Sequence, residues 1–193
     1  MDFKKLLPLI LSGVATFFAF LGIIMLIVCD GGVWGYMDKI FTFISIAGLL
    51  TFTILEFVNV SFNKYLYAIA FSGLAIAELL SGIRSLVDMG DGYSKYLYFT
   101  SFVSSLINIF VMLLFLYGLY KKNTIISVFS LTYLASDLLV NGLSGFNQII
   151  SAMFGGTGMF KWGFSGFVNA NALLLFYVVF AIVGLKYIKE NQN

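Results

Sequence analysis

Residues 124–148 read TIISVFSLTYLASDLLVNGLSGFNQ. The stretch is long and apolar enough to cross a bilayer, which takes about 20 residues of helix. Yet Ser130, Tyr133, Asp137, Asn141, Ser144 and Gln148 recur in it at steps of three and four, a spacing that stacks them on one helical face. A carboxylate at the centre of a membrane helix costs about 2.5–3.5 kcal/mol on insertion scales, so such groups face a bundle interior or a watery cavity. The pattern predicts a polar chamber inside a membrane-embedded helical bundle.

The rest of the composition agrees. The chain has 193 residues, 61% hydrophobic and 10% charged, with a mean hydropathy of +1.00. A soluble domain carries about 25% charged residues to keep its surface hydrated. The net charge of +2, with no basic tract, argues against nucleic acid as a partner. There is no histidine, which removes the commonest metal ligand and the commonest base near neutral pH. The single cysteine, Cys29, allows neither an intrachain disulfide nor a multi-thiolate metal site; it reads as a small apolar residue at a helix end. Neither a metal nor a cofactor is expected.

Six segments qualify as spans, at 6–29, 40–62, 65–87, 96–120, 124–148 and 164–188. The expected fold is therefore all-α, a single polytopic membrane domain over 1–193. Lys4 and Lys5 resemble the start of a secretory signal, but the apolar run after them is about twice the usual 7–15 residues, and the segment reads as a retained span. With both termini cytoplasmic, the inner side collects Lys4, Lys5, Lys64, Lys121, Lys122, Lys186 and Lys189. The outer side then holds Lys39, Arg84, Lys95 and Lys161, diluted by Asp30, Asp38, Asp88 and Asp91. This lysine bias predicts N-in, C-in topology in a plasma membrane, with Trp34, Tyr36, Tyr93 and Trp162 at the outer interface.

Inner connections are minimal (Asn63–Lys64 and Lys121–Asn123), whereas the outer ones, at 30–32, 89–92 and 154–158, are longer and glycine-rich. The chain thus reads as three helical hairpins of about 60 residues, a period expected of repeat architectures. AELLSG at 77–82 and SDLLVNG at 136–142 match best and set Glu78 and Asp137 at equivalent depths, with Phe20 near the corresponding place in the first hairpin. Chance likeness between two apolar helices is the competing account.

Further polar positions lie on the other spans. Glu78, Ser81, Ser85 and Asp88 form a stripe on the third, Ser101, Ser104, Ser105 and Asn108 share a side of the fourth, and Ser165 and Asn169 share a face of the sixth, with Asn171 off to one side. At about 1.5 Å per residue, Glu78 and Asp137 lie roughly 20 Å from the inner start of their helices. Polar atoms so concentrate in the middle and outer membrane, as in a pocket opening outward. The serines read as packing residues whose hydroxyls bond locally to the backbone. The asparagines read either as ligand contacts or as interhelical glue, worth about 0.6–2 kcal/mol each. Arg84 either pairs with Asp88 at i, i+4 or reaches inward to Asp137 or an anion. Glu56, in a stripe with Thr53, Asn59 and Asn63, is placed to snorkel to the headgroups. The small residues Ala15 and Ala19, and Gly73 and Ala77, permit close helix approach, within the chain or with another subunit.

No enzyme signature is present, although Glu78 and Asp137 could act as an acid pair on a lipid-linked substrate. The expected function is a membrane-embedded binding or transport subunit for a small polar solute or ion. Its expected ligand-binding residues are Asp137, Glu78, Asn141, Asn169, Asn171, Tyr133, Ser144 and Arg84. In length, span number and cytoplasmic termini the chain looks like the substrate-binding subunits of energy-coupling-factor transporters; that resemblance is one of topology and carries no residue across. The chain has no P-loop, so an ATP-driven role needs another protein. Membrane lipid and a membrane-protein partner or further copies of the chain are the expected neighbours. The alternative is a scaffold or regulatory subunit that transports nothing.

Overall fold

The computed structural model describes residues 3–29, 32–58, 66–89, 95–154 and 160–190. They form six helices: α1 (Phe3–Cys29), α2 (Gly32–Phe57), α3 (Leu66–Asp88), α4 (Lys95–Tyr120), α5 (Thr124–Met153) and α6 (Phe160–Glu190). Each is long and apolar enough to cross a membrane. The chain is a multi-pass, all-helical membrane protein. The expected spans and the helices differ most at α2, which begins at Gly32 rather than at 40 and ends at Phe57. Hydropathy alone places Asp38 and Lys39 outside a span; in the helix they pair with each other at 3.2 Å, which removes the penalty that suggested a loop. The glycine-rich connections at 30–31, 90–94 and 155–159, and Asn59 to Lys64, lie outside the described residues.

The helices pack in chain order as a closed ring, α6 lying against α1 as well as α5. Lys186 near the end of α6 meets Glu56 of α2 at 2.6 Å, and the Thr53 and Ser12 hydroxyls of α2 and α1 meet at 2.7 Å. The end of α2, the start of α1 and the end of α6 therefore share one end of the bundle, here the termini end. Glu56 is thus ion-paired rather than simply extended to the headgroups.

Polarity is distributed in the reverse of a soluble protein. Phe17, Ile44, Phe110, Ile125, Phe129 and Leu143 are more than half exposed, while Ser12, Thr42, Ser45, Ser105, Asn108 and Ser130 are buried. Lipid solvates the first set but has no hydrogen bonds for the second. Most of the hydroxyls are satisfied locally, as Thr42 is by the Asp38 carbonyl, Ser45 by Phe41 and Ser130 by Ile126. These serines and threonines are packing residues.

Phe71 of α3, Phe115 of α4 and Phe176, Tyr177 and Phe180 of α6 fill the termini half of the ring. Their centroids stand 4.8 Å apart for Phe71 and Phe115, 4.9 Å for Phe71 and Phe180, and 4.7 Å for Phe176 and Phe180. Such aromatic pairs contribute about 0.5–1.5 kcal/mol each beyond area burial. No hydrophobic force drives helices together in lipid, so contact of this kind must hold the bundle.

Close backbone approach does the same work between α5 and α6. A Cβ added at Gly145 would stand 2.8 Å from both the Gly163 carbonyl oxygen and the Phe167 nitrogen. At the α4–α5 connection, Asn123 N–H bonds Gly118 O at 2.8 Å and Lys122 N–H bonds Leu119 O at 3.1 Å. Lys122 has φ 53°. That is a Schellman termination with a lysine in the left-handed position. Asn123 then caps α5 by accepting from Ile126 N–H at 3.2 Å, so one residue closes one helix and opens the next.

Two predictions follow from this packing, both read as thermal stability in detergent. Gly145→Ala should destabilise by about 1–3 kcal/mol through overpacking, whereas Gly13→Ala, where a Cβ meets nothing within 4 Å, should be neutral or stabilising by up to about 1 kcal/mol. Asn123→Ala should cost about 1 kcal/mol through loss of the cap.

Candidate functional site

Glu78 and Asp137 sit on α3 and α5, the two helices that flank α4 in the ring. Asn108 of α4 lies between them. Its Nδ2 donates to Glu78 Oε1 at 3.3 Å and to Asp137 Oδ2 at 3.4 Å. Both bonds are long, as befits one nitrogen reaching for two carboxylates. Asn108 is only 7% exposed, and its Oδ1 has no hydrogen-bond partner among the described residues. The two acceptor oxygens lie within about 7 Å of each other, a range at which like charges repel strongly in a low dielectric.

Beside Glu78 opens a cavity of about 100 Å³. Asp38, Lys39 and Thr42 of α2, Glu78 and Ser81 of α3, and Asn169 and Tyr177 of α6 line its polar walls, and Leu74, Met112 and Leu173 its apolar ones. The Asp38 and Lys39 side chains are 19% and 17% exposed. Tyr177 belongs both to this cavity and to the aromatic cluster, its ring tilted against Phe71 with centroids 6.0 Å apart. The cluster therefore forms the floor, about two turns of α3 below Glu78. Asp38, nearer the other end of the bundle, stands in the wall above.

Among the expected ligand-binding residues, Glu78, Asp137 and Asn169 come together here. Arg84 does not: it turns to Asp88 at 3.5 Å, with 38% of its side chain exposed. Asn171 donates to Phe167 O of its own helix at 2.8 Å and lines a separate, apolar groove between α5 and α6. Asn169 and Asn171 stand about 200° apart around α6, which accounts for the split. Tyr133 is 39% exposed, Ser144 and Gln148 are exposed, and the Asn141 side chain lies outside the described residues.

The geometry of α5 explains why one stripe has two fates. Ser127, Ser130, Leu131, Leu134 and Gly145 are its buried residues, and at 100° per residue they centre roughly 70° round from the polar stripe, with Ser130 common to both. The stripe therefore lies along the flank of the packed face. Asp137 is reached from α4, but two and three turns further on Ser144 and Gln148 are uncovered.

Asp38, Lys39, Thr42, Ser81, Asn108 and Tyr177 complete the cluster without having been among the expected binding residues. Asn108 carried a legible signal, an amide at mid-depth in the span between the two acid-bearing ones. Tyr177 carried none, being one aromatic among many. Among the described residues no three acidic or thiol side chains gather at metal-binding distance.

The Asp38–Lys39 pair can be tested alone. Lys39→Met leaves a largely buried carboxylate without its cation and should lower stability by about 1–3 kcal/mol. Adding Asp38→Asn should recover most of that loss, as a double-mutant cycle in detergent melts would read.

No family of known proteins matches the sequence, and no curated protein or solved structure is significantly similar to it.

Proposed function

We propose that the chain is a membrane-embedded binding and transport subunit for a small polar solute or ion, with the Glu78–Asn108–Asp137 cluster and its adjoining cavity as the site. One observation carries the reading: acids from two separate helices converge on a single buried amide beside a polar cavity. Buried ionisable groups in lipid mark ion and substrate paths. The occupant is small, because a 100 Å³ cavity falls well short of the roughly 300–1,000 Å³ of sites for drug-sized organic ligands. It is also cationic. Three carboxylates, Asp38, Glu78 and Asp137, face one ammonium, Lys39, in and around the cavity.

In this reading the chain is N-in, C-in in a plasma membrane, so the cavity opens toward the outer face and the aromatic floor closes it from the cytoplasm. The three hairpins are repeats, with the acids of the second and third at matching depth. Only an ATP-driven form of this role would need a separate energy-supplying protein. One observation favours a scaffold instead: between α2 and α3 runs a groove of about 500 Å³, lined by small residues including Gly48, Ala70 and Gly73, which suits close approach by another apolar chain.

Flux of small cations into proteoliposomes separates the two. Asp137→Asn and Glu78→Gln should each lower flux by about tenfold or more, consistent with loss of a charged ligand worth at least 1.4 kcal/mol, while leaving oligomeric state unchanged. Arg84→Gln is the control. Unchanged flux with altered assembly establishes the scaffold, and no cation flux in the unaltered chain removes the transport reading.

A further inference from the structure

The two ends of the Asn108 amide are chemically opposite, one a donor and one an acceptor, yet nearly equal in shape. Here the donor end meets both carboxylates, at 3.3 and 3.4 Å, while the acceptor end, Oδ1, is buried and has no partner among the described residues. The two N–H hydrogens of Nδ2 are thus taken up by two carboxylates that repel each other, beside an orphan acceptor. A single proton relieves the repulsion and supplies the donor that Oδ1 lacks. Placed on either acid, it turns that carboxylate into an O–H donor for Oδ1 and leaves Nδ2–H to the remaining carboxylate alone.

The geometry points to Glu78, Asn108 and Asp137 as a one-proton site, in which the amide donates Nδ2–H to whichever acid is ionised and accepts the O–H of the other at Oδ1. The inference rests on the cluster being the transport site, and names its ion as the proton. Moving the proton from Glu78 to Asp137 breaks one O–H bond and forms another, with a rotation of the amide that exchanges its ends; the charge of the pair is unchanged. α3 and α5 then take turns at holding the proton while α4 stays between them.

Other ionisable groups face the pair from the surrounding helices. Asp38 of α2 acts on Glu78, with its partner Lys39 beside it. Tyr177 of α6 lies within electrostatic reach of both acids, and the Ser105 hydroxyl of α4 stands beside Glu78. On α5, Tyr133 is one turn from Asp137 and half-exposed; on α3, Arg84 is engaged by Asp88. Among the described side chains α1 contributes no charge. None of these groups offers the orphan oxygen a hydrogen bond.

The test is an infrared titration of the protonated-carboxyl band, with the full chain in lipid bilayers across a wide pH range. Read as the difference from the Glu78→Gln/Asp137→Asn double variant, which subtracts the other carboxyls, the unaltered protein should take up two protons in two separated steps, with a one-proton plateau between them. Glu78→Gln and Asp137→Asn should each leave a single step. Asn108→Leu deprives the last remaining carboxylate of its N–H, so the second proton binds at higher pH and the plateau narrows by about one pH unit or more. Asn108→Gln, which keeps an amide, should restore part of the width.

A single two-proton step in the unaltered chain overturns the inference, as does a plateau that survives Glu78→Gln or Asp137→Asn. A folded Asn108→Leu protein with the unaltered plateau also overturns it. If Asn108→Leu does not fold, the two acid variants decide. Sodium, lithium or potassium that displaces the band at constant pH would assign the orphan oxygen to a metal cation instead. Loss of flux in Asp137→Asn without any plateau would leave the transport reading standing and remove only the proton assignment.

Discussion

Lipid offers no hydrogen bonds, and the arrangement of this molecule follows from that. Each polar atom within a span must find a partner on its own helix, a partner on another helix, or water. The serines and threonines take the first course by bonding to carbonyls about one turn back. The Ser12–Thr53 and Ser85–Ser101 pairs take the second and link neighbouring helices. An ionised carboxylate has no proton to give a carbonyl of its own helix, so Glu78 and Asp137 turn to groups on neighbouring helices.

Glu78 and Asp137 accordingly meet the same amide. α4 lies between α3 and α5 in the ring, and Asn108 stands on it at the depth where the two acids point inward. The aromatic cluster beneath supplies the opposite environment. Phe71, Phe115, Phe176 and Phe180 are fully buried and set an apolar layer between the cavity and the termini end. A hydrophilic half on an aromatic half makes the bundle asymmetric along its axis. That asymmetry, more than the presence of acids, is what the proposed transport role draws on.

Rigidity comes from close contact at small residues. Gly145 against Gly163 and Phe167, and Gly118 against Ser127, bring backbones together where side chains would hold them apart. Schellman termination and the Asn123 cap fix the α4–α5 hairpin, and with it the relative placement of Asn108 and Asp137. The precision of the site thus depends on a turn about 20 Å away from it along each helix.

Apolar segments of bilayer length, counted along the chain, were enough to announce six membrane helices, and the period of the polar residues was enough to single out Glu78 and Asp137 as acids that must face inward. Both properties are local: hydropathy and helical phase need no knowledge of neighbours. The partner of those acids was not local. That Asn108 would serve both depended on α3 and α5 flanking α4 in a ring. Tertiary packing likewise divided the α5 stripe, because α4 covers its flank at Asp137 and leaves Ser144 and Gln148 bare. It also drew Asp38 and Lys39 into the wall of the cavity, since mutual pairing made their burial tolerable when each charge alone argued for a loop. The pattern of residues determined which groups lipid would reject; only the folded bundle decided which other groups received them.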